Sequence, residues 1–322
     1  MQWIPGGTFR MGADRSYPEE APVHTVAVGG FWMDAHPVTN ADFATFVEAT
    51  GYRTVAERPL DPTLYPGVQR DLLQPGSAVF FMPTGRVDMR HLQSRWAYVP
   101  GANWRHPDGP ASTLEGREQE PAVHVAYEDA AAFAAWAGKE LPTEAEWEFA
   151  ARGGLDGATF CWGDEFLLGG RYMANTWQGP FPFQDVGADG FVGRAPVGSF
   201  PPNGFGLYDV AGNVWEWTTD WYSARHPAEA ASPCCVPRNP SGGAEALSYD
   251  PELPQVCIPR KVIKGGSYLC APNYCQRYRP AARHPQMIDS GTCHIGFRCI
   301  IRAGCNERSS GSFVAEIRTS GP

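Results

Sequence analysis

The chain has no excess of positive charge, no long apolar run and no internal repeat, and each absence removes a class of function. Its 322 residues include 26 Lys and Arg against 35 Asp and Glu, a net charge of −9, whereas nucleic-acid binding rests on clustered basic residues. No run of eighteen apolar residues occurs, so no membrane-spanning helix and no membrane partner are expected. The start, MQWIPGGTFRMG, has neither a charged n-region nor an apolar h-region. Without a visible signal peptide, the default location is the cytoplasm. HExxH, paired CxxC, a Walker loop and GxGxxG are all absent, which removes the common zinc, P-loop and dinucleotide signatures.

Helical periodicity is also scarce, and it is confined to the first half. Thr39 or Asn40 caps a helix carrying Phe43, Phe46 and Val47 that stops near Gly51. Residues 127–138 are Ala-rich, with Phe133, Trp136 and Ala137 on one face. In LPTEAEWEFAARGG, Thr143 and Glu146 spell a capping box, Ala145, Trp147 and Phe149 give apolar cover, and Gly153–Gly154 end the helix. Beyond Gly154 the chain turns to short strand-like runs such as KVIKGG (261–266), matching the earlier HTVAV (24–28). Gly 36 and Pro 30 imply many turns between short elements. The expectation is one mixed α+β domain with low regular structure and long ordered loops over residues 1–302. Residues 303–322 form a polar tail expected to be mobile, and residues 225–260 look like an insertion.

Nine cysteines stand at 161, 234, 235, 257, 270, 275, 293, 299 and 305. An odd number in a reducing compartment argues against a complete disulfide framework. Cys270 and Cys275 differ from the rest in their surroundings, KGGSYLCAPNYCQRYRPAAR, where Arg277 and Arg279 favour thiolates. Two thiolates without imidazole or carboxylate partners suit Cu(I) best among common metals. From spacing alone, a reactive or metal-binding pair, inert thiols and a disulfide all remain open. Two oxygen-rich segments, with Asn175 and Asp189 in one and Asp209 and Glu216 in the other, offer the hard donors Ca²⁺ takes; read locally they are also ordinary turns.

Taken in order, IPGGTFRMG, HPVTNADF, ELPTEAEWEFAARGG, GNVWEW, GGSYLCAPNYCQRYRPAAR and GFRC span residues 4–299. They resemble the formylglycine-generating enzymes of the sulfatase-modifying factor family. The resemblance implies an α+β fold of C-type-lectin-like ancestry. It also implies O₂-dependent oxidation of the cysteine in Cys-x-Pro-x-Arg of nascent sulfatases to Cα-formylglycine. By the same resemblance Cu(I) is held by Cys270 and Cys275, the substrate thiolate joins as a third ligand, and a hydrogen leaves the substrate Cβ. Ser267 lines the pocket, with Trp215, Tyr274 and Arg277 as further pocket residues. Structural Ca²⁺ is implied at Asn175, the Thr176 carbonyl, Asp189 and the Phe191 carbonyl, and again at Asp209, the Gly212 and Val214 carbonyls and Glu216. A monomer is expected.

The chain also departs from the family. Ala151 and Pro280 replace cysteines that secreted relatives pair, which makes Cys299 a free core thiol. Cys293–His294 stands where relatives often have Ser-Asn, and segment 57–83 differs near the expected peptide groove. Cys234–Cys235 is unassigned: a vicinal pair can bind soft metal or be a loop feature. A non-catalytic binding module on the same fold is the alternative, but it has no need of Cys270 and Cys275 beside Ser267. An iron sulfoxide synthase needs a His-x3-His-x-Glu motif that the chain does not contain.

Overall fold

The computed structural model of the chain describes residues 1–65, 67–68, 73–226 and 236–303. Cys234, Cys235, Cys305 and the tail from residue 304 lie outside the described residues.

Three helices form where their end signals stand. In α1 (Asn40–Thr50) the Thr39 hydroxyl accepts from Asp42 N, the Asp42 carboxylate accepts from Thr39 N, and Gly51 at φ 67° ends the helix. In α2 (Tyr127–Trp136) the Asp129 carboxylate takes the Ala126 N–H at 2.8 Å. In α3 (Glu144–Arg152) Thr143 and Glu146 close the capping box, and Gly153 at φ 57° stops it. No α-helix follows among the described residues. Two details differ from the sequence pattern. Trp136, expected on the buried face of α2, is 44% exposed and only leans its ring on Phe46 and Phe133. More consequentially, α3 is buried on nearly every side, Glu144, Glu146 and Glu148 included.

The strands are short and gather in five small sheets. β1 (Gln2–Ile4), β4 (Phe31–Met33) and β13 (Ile300–Arg302) form an antiparallel sheet that ties the first described residues to the last ones. β2 (Gly7–Met11) pairs with β3 (His24–Val28), β5 (Gly76–Phe80) with β6 (Trp96–Pro100), and β7 (Leu167–Leu168) with β8 (Arg171–Tyr172). The largest sheet has the order β11 (Arg283–Met287), β10 (Arg260–Lys264), β9 (Trp215–Trp221), β12 (Ile295–Gly296). Phe43, Phe46, Trp104, Phe133 and Phe297 build an aromatic core under α1 and α2.

The buried acids of α3 lock it to this sheet. Lys264 Nζ, fully buried on β10, reaches Glu148 at 3.0 Å and Glu144 at 3.4 Å. Arg283 on β11 binds Glu144 at 2.8 Å, and Arg152 binds Glu148 at 2.7 Å. Charges so deep persist only when paired, so these bonds fix where β10 and β11 leave the core. Cys299, as expected, is a buried free thiol.

His124 gives the fold a pH dependence. Its ring is fully buried between the Ser77 hydroxyl and the Pro107 carbonyl, each at 2.8 Å. Burial lowers it from 6.5 to about 4. Because the unfolded chain binds this proton more readily, stability is complete above pH 6.5 and is lost as pH falls toward 4. The slope is at most about 1.4 kcal/mol per pH unit. Denaturant unfolding between pH 7.5 and 4.5 is expected to show it together with the like-shifted His226, His284 and His294. His124→Asn, which tolerates the backbone φ of 57° there, is expected to lower the slope by the His124 share.

Candidate active site

Strand β10 runs into Gly265 and Gly266 at φ 94° and 71°, a region L side chains rarely adopt. A Cβ on Gly266 would stand 2.9 Å from the Arg277 carbonyl group and Tyr278 N, and one on Gly265 would stand 3.1 Å from the Trp147 ring. The chain can therefore turn tightly under its own return segment, and it delivers Ser267 at zero exposure. Successive turns follow. Cys270 N donates to the Ser267 carbonyl at 2.9 Å and Cys275 N to the Ala271 carbonyl at 2.8 Å. The Cys270 carbonyl accepts from Trp177 N at 3.0 Å, which pins the loop from outside. The result is two free sulfurs 3.1 Å apart.

The sulfurs face a cavity of about 470 Å³ that also takes in Ser267, Trp215, Tyr274 and Arg277. All six pocket residues named from the sequence thus come together in one place. Trp215 is a buried wall, whereas Tyr274 is half exposed and stacks on Phe181 with ring centroids 4.2 Å apart. Among the lining residues there is no carboxylate and no lysine. The two thiols are electrostatically unequal. A bond from the Cys270 thiol, assisted by the Arg277 backbone N–H and guanidinium, holds Cys275 below the ordinary thiol range against the cost of burial. Burial and the bonded Cys275 raise Cys270. The metal-free pair therefore favours one thiolate sharing one proton.

Several cavity residues were not singled out by sequence. His284 reaches it because β11 pairs Ile263 with His284, and its ring lies 5.6 Å from that of Trp215. Burial lowers His284 to about 4. His294, where the family pattern changes, lines the same cavity, is hydrogen-bonded to the Thr292 hydroxyl and packs on Trp96; burial lowers it to about 3. Both imidazoles are neutral at pH 7. Cys293 points away, accepting from Phe80 N and bonding Tyr268. A second, mostly apolar cavity of about 470 Å³, between residues 55–100 and 287–292, shares Ala78 and Thr292 with the first.

The two oxygen-rich segments are adjacent, bridged where Asn175 pairs with Gly212; a Cβ on Gly212 would strike the Asn175 carbonyl at 2.1 Å. In the first, the Thr176 carbonyl, the Thr176 hydroxyl and Asp189 Oδ2 converge on a single amide nitrogen of Gln178. The other Asp189 oxygen accepts from Phe191 N at 3.0 Å, while Asn175 reaches the Gly193 carbonyl at 2.9 Å. This cluster of oxygens fits a hard cation. In the second, Glu216 is already bound by Arg298 through two bonds of 2.7 and 2.8 Å and by Trp147 Nε1. Asp209 is buried, accepts only from Gly198 N, and pairs with no Lys or Arg among the described residues. Burial pushes its carboxyl up to about 6. A buried carboxylate without a cation fits a Ca²⁺ ligand. Among the described residues no three His, Cys, Asp or Glu side chains gather as a metal site, so either Ca²⁺ site would draw on carbonyl and amide oxygens.

A model of the sulfatase-modifying factor enzyme 1-like domain matches residues 1–303. A formylglycine-generating enzyme from Mycobacterium tuberculosis is 56% identical to the chain, covering 92% of the chain and 96% of the relative. One from Thermomonospora curvata is 47% identical, covering 92% and 91%. The structure of PvdO from Pseudomonas aeruginosa superposes with a TM-score of 0.61 at 24% identity, covering 94% of this chain and 93% of that one, a likeness of fold.

Proposed function

The chain belongs to the sulfatase-modifying factor enzyme 1-like family, and from that membership we propose that it converts a cysteine of sulfatase polypeptides to Cα-formylglycine in the cavity holding Cys270 and Cys275. The observation that carries this reading is the free sulfur pair, 3.1 Å apart, at the wall of a cavity large enough for a peptide side chain. Cys270 and Cys275 would hold Cu(I), to which soft thiolates are suited. Bound there, the copper supplies the one-electron reactivity toward O₂ that no amino-acid side chain offers.

The chain's own residues do the rest. Ser267 presents a hydroxyl beside the sulfurs, with its Oγ fixed by the Leu269 N–H at 3.2 Å. Trp215 and Phe181 wall the space and exclude water, and Tyr274 stands at the rim against an incoming chain. The neighbouring apolar cavity, which shares Ala78 and Thr292 as lining, offers room for residues flanking the client cysteine in a Cys-x-Pro-x-Arg segment. Turning a thiol-bearing CH₂ into an aldehyde with release of sulfide removes two electrons. O₂ accepts four on becoming water, so a thiol-class reductant supplies the other two.

The test is to load the protein with Cu(I), add a Cys-x-Pro-x-Arg peptide and a thiol in air, and weigh the peptide. An aldehyde in place of the thiol supports the reading; folded, loaded protein that leaves several such peptides unchanged overturns it. For calcium, chelation followed by Ca²⁺ at a hundredfold excess over Kd is expected to add about 2.7 kcal/mol of stability per site, seen as a rise in Tm. Asp189→Ala and Asp209→Ala should each remove one part of that rise. A Tm indifferent to Ca²⁺ counts against both sites.

A further inference from the structure

Besides Cys275 of its own loop, Arg277 is held by the connection between β2 and β3. Arg277 Nη2 donates to Glu19 Oε1 at 2.6 Å, and its guanidinium lies 3.8 Å from the centre of the Tyr17 ring. Tyr17 also accepts from Gln276 N at 3.1 Å. Next to it, Arg279 binds the fully buried Glu20 through two bonds of 2.5 and 2.9 Å, and Arg283 reaches the Glu19 carbonyl at 3.2 Å. The same short segment, Tyr17 to Glu20, thus grips every arginine of RYRPAAR. Arg277 alone among them lines the cavity, and its Nε is buried without an oxygen or nitrogen partner.

We infer that Glu19, with Tyr17, is a positioning residue that holds the Arg277 guanidinium against the sulfur pair, so that a metal-bearing dithiolate keeps a cationic neighbour. The inference rests on the copper reading above. A Cu(I) ion between two thiolates leaves one net negative charge in a space whose lining offers no other cation. A free arginine has many rotamers and would swing to water. A short charge-assisted bond and a stacked aromatic face remove that freedom. Glu19 itself does not line the cavity, and the bond to Arg277 is its hydrogen bond to a lining residue.

The experiment compares full-length wild type, Glu19→Gln, Tyr17→Leu, Arg277→Ala and the Glu19→Gln/Arg277→Ala double variant. Cu(I) affinity is read by competition with a chromophoric chelator, and peptide KM is read beside it. Glu19→Gln is expected to weaken Cu(I) about tenfold, in the range for lost outer-shell partners, with KM unchanged. The double variant should be no worse than Arg277→Ala, because the two residues act in series. Tyr17→Leu should weaken Cu(I) in the same direction, and it decides the matter should Glu19→Gln not fold. Wild-type affinity in both Glu19→Gln and Tyr17→Leu, or additive losses in the double variant, would overturn the inference. A wild type that binds Cu(I) but makes no aldehyde overturns the oxidase reading and leaves this one standing. A wild type that binds no Cu(I) overturns both.

Discussion

Cys270→Ser and Cys275→Ser are each expected to abolish conversion of a Cys-x-Pro-x-Arg peptide while leaving the protein folded. Serine is close in size, and the turns that shape the loop run through backbone atoms of Ser267, Cys270, Ala271 and Cys275 rather than through sulfur. What changes is the donor: a hydroxyl is a hard, protonated ligand at neutral pH, and Cu(I) selects soft thiolates. The loss should exceed about a hundredfold in kcat/KM, since even outer-shell changes reach that size. Peptide mass gives the activity, Cu(I) titration the binding, and a melting curve the control. Near-normal turnover by either variant would show that the pair is not the site. Cys299→Ser probes a buried thiol outside the cavity; it is expected to keep kcat/KM whatever it does to stability.

The largest stability effect is expected at Arg298. Its side chain is fully buried, binds both oxygens of Glu216, and donates to the carbonyls of Tyr208 at 2.8 Å and of Asp34 and Ala35 at 3.4 Å. Arg298→Ala would strand Glu216, itself buried, with only Trp147 Nε1 as a partner. Breaking one side of a buried pair typically costs about 3–5 kcal/mol, a large share of the roughly 5–15 kcal/mol that holds a domain folded. Urea unfolding should show the unfolding free energy fall by that amount, with a lower midpoint at unchanged m, and a loss below about 1 kcal/mol would mean that Glu216 finds another partner. If the Asp209 and Glu216 segment binds Ca²⁺, excess Ca²⁺ should recover part of the loss.

Arg298 also marks where reading the chain as a line of letters stops being enough. The caps of α1 and α3 are local: Thr39 with Asp42, and Thr143 with Glu146, lie three residues apart and close whatever surrounds them. The Cys270–Cys275 spacing on a Gly-Gly-led turn is local too. So is the family resemblance, because its motifs are contiguous strings. By contrast, Glu144 and Glu148 look like the solvent face of an amphipathic helix. They are buried because Lys264, more than a hundred residues later, and Arg283 meet them there.

The sequence by itself determined the caps of α1 and α3, the cysteine spacing on a Gly-Gly-led stretch and the family resemblance. Only the tertiary structure decided what surrounds the sulfurs. His284 enters through strand pairing with Ile263, Trp96 and His294 through packing with each other, and Glu19 through a bond across 258 residues of chain. The physical reason is the range of the forces. Capping, turn geometry and thiol spacing are fixed within a few residues by hydrogen bonds and sterics. Burial and charge pairing depend on which distant segments displace water from one another, and a one-dimensional pattern does not carry that information.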